Sequence, residues 1–244
     1  MSKKYRNKTC VYCTTRPSEL GDHVFAREFF LESERGNLPQ VPACSSCNGE
    51  KSVLEHYLAT VLPFGGQHRD ALRLLSERVP RRLAKNQKLH RELAAGMREE
   101  WAEGANGLIA KRMALPFDST RIEGLFAFIV KGLIYRHWSI LLPQGYGADA
   151  ALMREAGQPH WERLRAHPNA GHHVSDDLGS GSFQYEGFRD IERPYISGWQ
   201  FRVYGRVPLG GDAAMPDEVA TMLIGRSIAL EKMDSVASAK LGVG

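Results

Sequence analysis

The spacing of apolar residues along the chain predicts several helices. In 67–97 apolar residues recur every three or four positions and Pro80 interrupts the repeat, so we expect two helices there. The most apolar stretch, 124–142, predicts a buried core helix that Asp118 or Ser119 can cap. A further helical stretch is expected over 148–165, and a last helix within 216–230.

Between the last two predicted helices the pattern changes to strict alternation of apolar and polar residues. This alternation covers 182–188 and 195–209 and predicts strands. In the second stretch Trp199 and Phe201 fall on one face, and Gln200 falls on the other. The alternation indicates an antiparallel sheet.

The cysteines divide the chain into two parts. All four lie before residue 48, and an apolar run ends at Gly65-Gly66, so we place a domain boundary near residue 64. We predict an α+β protein with a small N-terminal module over 1–64. The remainder, 65–244, is predicted to be a domain of helices followed by the antiparallel sheet.

Composition excludes several classes of protein. With 244 residues, 43% hydrophobic and 25% charged, the chain is not collagen-like, disulfide-dense or wholly disordered. No apolar signal segment follows the basic N-terminus, and Lys131, Arg136 and His137 interrupt 124–142. We therefore expect a cytoplasmic protein with no membrane span.

Positive charge is concentrated in one segment. The whole chain carries a formal charge of +4, whereas 67–98 alone holds nine Lys or Arg against three acidic residues, an excess of +6. Such a segment is typical either of a solvated helix face or of a surface that contacts phosphates, and its charge alone does not decide between them.

The four cysteines form two C-x-x-C pairs, Cys10–Cys13 and Cys44–Cys47. Disulfides fit poorly with the absence of a signal peptide, and a redox pair would normally sit in a thioredoxin-like unit that the sequence lacks. Four thiolates at this spacing match tetrahedral zinc, so a structural Zn²⁺ site is favoured. The interval between the pairs is longer than a simple zinc ribbon needs.

That interval carries polar residues in a specific order. Asp22-His23 comes first, Asn37-Leu38 follows, and the second cysteine pair runs directly into Asn48 and then Lys51. In order and approximate spacing this arrangement resembles the HNH endonuclease family. The cysteines are similar to those of its zinc-stabilised branch, which includes phage recombination endonuclease VII. The resemblance covers 10–55, under a quarter of the chain.

The resemblance implies a ββα-metal nuclease that hydrolyses DNA phosphodiester bonds to 3′-hydroxyl and 5′-phosphate ends. His23 is the expected general base, because a neutral imidazole can accept the proton of the attacking water. Asp22 and Asn48 are the expected oxygen ligands of a catalytic Mg²⁺ or another divalent cation. Asn37 corresponds to the asparagine that braces the histidine loop, although 25–36 looks partly helical where the family is usually glycine-rich.

Three further residues are expected to support the catalytic site. Lys51 or Arg27 is expected to contact phosphate and Glu55 to act as an outer-shell group. The alternative is that Lys51, Glu55 and His56 are solvent-facing helix residues. Adjacent strand residues point to opposite faces, so Asp22 and His23 can serve one site only if their hairpin is twisted or bulged.

Two other functions stay open at this stage. One is a zinc-dependent nucleic-acid-binding or assembly module that does not cleave nucleic acid. In that module the basic segment 67–98 and the C-terminal sheet would carry the function. The other is a ribonuclease that uses the same site, since RNA is not excluded. The C-terminal domain could also serve as a homodimer interface or as a platform for a defence-system partner.

Overall fold

The computed structural model describes residues 3–103, 108–205, 207, 209–210, 219–220 and 222–230. The helices are α1 (Ser45–Val61), α2 (Arg69–Glu77), α3 (Val79–Lys85), α4 (Gln87–Gly96), α5 (Ser119–Trp138) and α6 (Gln158–Arg165). The strands are β1 (Leu20–His23), β2 (Gln40–Ala43), β3 (Arg98–Glu103), β4 (Ile109–Ala114), β5 (Tyr146–Met153), β6 (Ala170–Leu178), β7 (Phe183–Asp190), β8 (Ser197–Val203), β9 (Leu209–Gly210), β10 (Val219–Ala220) and β11 (Met222–Ala229).

The N-terminal part consists of a two-stranded hairpin followed directly by a helix. β1 and β2 pair antiparallel from Leu20 opposite Ala43 to His23 opposite Gln40, without a register shift. Two short 3-10 turns lie in the connection, as the partly helical pattern of 25–36 predicted. Asn37 then adopts a left-handed conformation with φ 61° just before β2, which Asn tolerates better than most residues.

The C-terminal part contains a five-stranded antiparallel sheet in the order β5-β11-β8-β7-β6. α5 packs on one face of this sheet and buries Phe126 against Phe183 and Phe201. The predicted core helix and antiparallel sheet are therefore confirmed. Asp118 caps α5 by accepting a hydrogen bond from the Thr120 N–H. Within the described ranges, α5 and the other helices all fall short of the combined length and apolarity that a membrane crossing requires.

The predicted pair of helices in 67–97 was wrong in number, since α2, α3 and α4 occupy this segment. Pro80 lies in the first turn of α3, where its missing N–H costs no helical hydrogen bond. The second break is at Asn86, whose side chain accepts a hydrogen bond from the Leu89 N–H and caps α4. The chain then forms a hairpin of β3 and β4 that the periodicity did not predict.

Two other helical predictions were wrong because the apolar residues of β5 and β11 do not alternate with polar ones in the sequence. The stretch 148–165 is helical only from Gln158, and β5 precedes it. The expected last helix over 216–230 is replaced by β10 and β11, with residues 216–218 and 221 outside the described part. β11 lies between β5 and β8, and a Cβ at Gly225 would lie 2.4 Å from Val130 of α5. Only glycine lets the strand approach the helix this closely.

The hydrophobic core runs across the predicted boundary near residue 64. The Phe25 and Phe183 rings are 4.5 Å apart, and the Tyr204 hydroxyl donates to the Phe29 carbonyl at 2.8 Å. A fully buried phenylalanine stabilises the fold by about 1.5–3 kcal/mol, and Phe25 and Phe29 are both completely buried. The division into two domains, 1–64 and 65–244, stays a prediction.

Candidate metal centre and the adjoining polar cluster

The four cysteines form one compact cluster. The sulfur atoms of Cys10, Cys13, Cys44 and Cys47 all lie within 4.8 Å of one another, and the Cys13 and Cys44 sulfurs are 4.0 Å apart. Tetrahedral zinc with Zn–S bonds of about 2.3 Å would place its sulfurs about 3.8 Å apart, so the spacing fits. These four cysteines could bind a metal such as zinc.

The first cysteine pair is held in a tight loop near the N-terminus. The Cys10 N–H donates to the Arg16 carbonyl and the Thr14 N–H donates to the Cys10 carbonyl, both at 2.9 Å. Burial acts to raise the pKa of Cys13, but hydrogen bonds from Thr15 and Arg16 outweigh it and lower the pKa to about 6. Burial instead raises the pKa of Cys10 and of Cys47, so a metal that binds all four thiolates would displace protons from these two.

The second pair lies at the start of α1. Cys44 occupies the N-cap position and Cys47 lies in the first turn, so the helix begins at Ser45 between the two cysteines. The Asn48 N–H donates to the Cys44 carbonyl at 3.0 Å. A metal on the cysteines would therefore fix the end of α1 and, with it, the position of Asn48.

Asp22 is linked to the cysteine loop through Tyr12 and is only 9% exposed. Its Oδ2 atom accepts a hydrogen bond from the Tyr12 hydroxyl at 2.6 Å and lies 3.0 Å from the Lys51 ammonium. Burial raises the pKa of Tyr12 well above its usual value, and the charge of Asp22 adds to the shift. Tyr12 therefore stays protonated and acts as the donor.

Lys51 is completely buried, so its predicted phosphate contact and the solvent-facing alternative were both wrong. Its ammonium group forms an ion pair with Asp22 at 3.0 Å, contacts the Glu55 carboxylate and donates to the His23 carbonyl at 2.7 Å. Two of its N–H groups are hydrogen-bonded, to Glu55 and to the His23 carbonyl, and these bonds together with the Asp22 ion pair tie α1 to β1. Burial raises the pKa of Glu55, and Lys51 opposes that shift. The outer-shell role of Glu55 stays a prediction.

His23 is half-buried at the end of β1, directly opposite Gln40 in the register. Its Nε2 atom lies 2.8 Å from the Gln40 side-chain nitrogen. Burial lowers the pKa of His23, with Arg27 and Lys51 adding to the shift and Asp22 opposing it. The imidazole is therefore neutral at pH 7, as a general base requires.

The side chains of Asp22 and His23 take different directions. β1 and β2 pair without a bulge, so the alternation of a strand applies. Asp22 contacts Tyr12 and Lys51, whereas the imidazole contacts Gln40. This hairpin has no bulge, so of the two conditions named in the sequence analysis only its twist could let Asp22 and His23 serve one site.

The two asparagines occupy different settings. Asn48 is half-buried in the first turn of α1, one turn before Lys51. Asn37 is exposed in the turn before β2, and the described part of the chain shows no side-chain hydrogen bond from it. The roles of Asn48 as a cation ligand and of Asn37 as a brace stay predictions.

Two residues of this cluster were missed by the sequence analysis. Tyr12 lies inside the first C-x-x-C pair, and its position between two expected metal ligands was the available signal. Gln40 follows from the strand register alone, because it is the residue opposite His23. Neither residue type is distinctive in a sequence without the pairing of β1 and β2.

The fold and the site define a protein of mixed helix and antiparallel sheet with a four-cysteine cluster near its N-terminus. No protein-family model, no curated protein and no solved structure matches the chain.

Proposed function

We propose that this protein is a metal-dependent endonuclease of HNH type that hydrolyses DNA phosphodiester bonds. The observation that carries the proposal is the arrangement of 20–61. A hairpin with Asp22 and His23 on its first strand leads into a helix that begins at the cysteines and Asn48, and Lys51 joins this helix to β1. These elements follow the order that the resemblance to the HNH family implies.

In this proposal the cysteine cluster holds structural Zn²⁺. Four thiolates complete a tetrahedral shell, which leaves no open position for water or substrate. The metal would join the N-terminal loop to the start of α1 and so support the hairpin between them. Its role is to shape the site, whereas the cleavage chemistry belongs to the neighbouring polar residues.

His23 is the proposed general base. The imidazole accepts a proton from water as the water oxygen bonds to phosphorus and the bond to the 3′ oxygen breaks. The 3′ oxygen takes a proton from solvent and leaves as the 3′-hydroxyl, and the other end keeps the 5′-phosphate. A hydrogen bond to Gln40 orients the ring. Because the Gln40 amide N–H donates to Nε2, the lone pair is on Nε2, and that nitrogen is the base once the hydrogen bond to Gln40 opens.

The oxygen donors fit a hard divalent cation. Oδ1 of Asp22 has no hydrogen-bond partner among the described residues, and the Asn48 amide oxygen is the second proposed ligand. Carboxylate and amide oxygens suit Mg²⁺. A bound cation would neutralise the charge that develops on the phosphate and the leaving oxygen.

A nucleic-acid substrate is supported by unpaired positive charge on α3, which packs against α1. Arg82 of α3 donates to the Ala59 carbonyl of α1 and to the Glu28 carboxylate, so α3 is fixed beside the hairpin and helix. Arg81 and Lys85 on the same helix are exposed and have no ion pair within the described residues. They are the proposed contacts to the phosphate backbone.

The experiment is an incubation of zinc-loaded protein and Mg²⁺ with plasmid, linear duplex, single-stranded DNA and RNA, followed by end-group analysis. We expect cleavage of DNA with 3′-hydroxyl and 5′-phosphate ends. Cleavage of RNA alone would replace DNA with RNA as the substrate. Absence of product from all four substrates would contradict the proposal.

A second candidate is a nucleic-acid-binding module that does not cut. It is favoured by one observation: Oδ2 of Asp22 and Nε2 of His23 already have partners inside the protein. The same incubation separates the two candidates, because this module would shift the mobility of DNA without forming product.

A further inference from the structure

The ring of Tyr12 is fixed between the metal-binding loop and the neighbouring helix. It lies between Cys10 and Cys13 in the chain and is 3% exposed. The ring packs edge-on against Phe128 of α5, with centroids 5.1 Å apart. The Tyr12 backbone carbonyl accepts a hydrogen bond from the Lys131 ammonium at 3.0 Å. The side chain therefore has little freedom to move independently of the cysteine loop.

The Tyr12 hydroxyl converges with Lys51 on a single oxygen of Asp22. The hydroxyl lies 2.6 Å from Oδ2 and the ammonium lies 3.0 Å from the same atom. One hydrogen bond and one ion pair on the same oxygen restrain the plane of the carboxylate, since rotation about its last torsion would lengthen both contacts. The other oxygen, Oδ1, has no hydrogen-bond partner within the described ranges.

We propose that Tyr12 is a positioning residue that connects the cysteine cluster to the catalytic carboxylate and holds Asp22 so that Oδ1 faces the divalent cation. This inference rests on the proposed function. It makes the two metal sites interdependent: a metal on the cysteines fixes the loop, the loop fixes Tyr12, and Tyr12 fixes the oxygen that binds the second cation. Tyr12 itself contacts neither the substrate nor the cation.

The test is a Mn²⁺ titration of zinc-loaded protein followed by electron paramagnetic resonance, with zinc content measured on each sample. We expect Tyr12→Phe to keep its zinc and to bind Mn²⁺ roughly tenfold more weakly than wild type, because one hydrogen bond to a charged group is lost. The matched control is Tyr204→Phe, which removes another buried tyrosine hydroxyl that donates to Phe29. Its Mn²⁺ affinity should equal that of wild type.

The possible outcomes are distinguishable. Wild-type Mn²⁺ affinity in Tyr12→Phe, with zinc retained, would overturn the inference alone. Loss of zinc from Tyr12→Phe but not from Tyr204→Phe would also overturn it, because Tyr12 would then support the cysteines rather than Asp22. Failure of the wild type both to bind Mn²⁺ and to cleave DNA would overturn the inference together with the proposed function.

Discussion

The Lys51 ammonium lies 3.0 Å from Oδ2 of Asp22 and is completely shielded from solvent. A buried ammonium is costly unless it is paired, because it loses its hydration. Here two carboxylates and one backbone carbonyl replace the water. The pair therefore serves as a buried connection between α1 and β1, the two elements that carry the candidate site.

Replacing Lys51 should destabilise the protein strongly. Lys51→Met would leave the buried carboxylate of Asp22 and the partly buried carboxylate of Glu55 without their cation, and breaking such a pair costs about 3–5 kcal/mol. The measurement is the free energy of unfolding in urea. Lys88→Met is the control, since the Lys88 side chain is 85% exposed and its loss should change stability little. Equal stability of the two variants would contradict the account of Lys51.

The cysteine cluster should bind one metal ion per chain. Reconstitution with Co²⁺ should give the intense near-ultraviolet charge-transfer bands of thiolate ligands, because Co²⁺ adopts the same tetrahedral geometry as zinc. Cys13→Ser should weaken those bands and lower metal affinity. Protein that binds no metal, or whose cysteines titrate as free thiols in the presence of zinc, would contradict a metal site.

Stability should fall as the pH is lowered from neutrality, in part through His137. Burial lowers the pKa of His137, Arg136 adds to the shift and Asp176 opposes it. The unfolded chain therefore takes up a proton first, near pH 6.5, and the free energy of unfolding decreases from about that pH down to the lower pKa of the folded state.

His137→Asn should reduce the loss of unfolding free energy that occurs as the pH falls. Urea unfolding at a series of pH values between neutral and mildly acidic measures this loss. The exposed His90 provides the control, because His90→Asn should keep the wild-type slope. A wild-type pH dependence in His137→Asn would show that this buried histidine does not contribute.

The basic surface of α3 should control the salt dependence of DNA binding. Changing Arg81 and Lys85 to Glu should weaken duplex binding and reduce the slope of log affinity against log salt by at least about 2, because two phosphate contacts are lost. Fluorescence anisotropy at several salt concentrations measures this slope. Arg163→Glu, an exposed change on α6, should leave it nearly unchanged. A wild-type slope in the α3 variant would exclude α3 as the DNA-binding surface.

The sequence predicted those features that depend on local patterns. The C-x-x-C spacing indicated one metal cluster, and alternation in 182–188 indicated the strand that became β7. In contrast, β11 was predicted as a helix because a central strand lacks clear alternation. Its identity depends on pairing with β5 and β8, which are distant in the chain.

The polar residues around Asp22 and Lys51 show the same division between local and long-range information. The order of Asp22, His23 and Asn48 was readable in the sequence, but the buried state of Lys51 was not. A lysine is usually exposed, and this one is buried because Asp22, Glu55 and the His23 carbonyl surround it in three dimensions. Residue spacing within one helix carries no information about acceptors on another element.

The most direct test of the central claim is plasmid nicking by His23→Ala in Mg²⁺, with zinc content matched to that of the wild type. His56→Ala, which changes an exposed histidine on α1, is the control. We predict that the wild type and His56→Ala convert supercoiled plasmid to the nicked form at similar rates, and that His23→Ala forms no detectable product. Retained nicking in zinc-loaded His23→Ala would contradict the account.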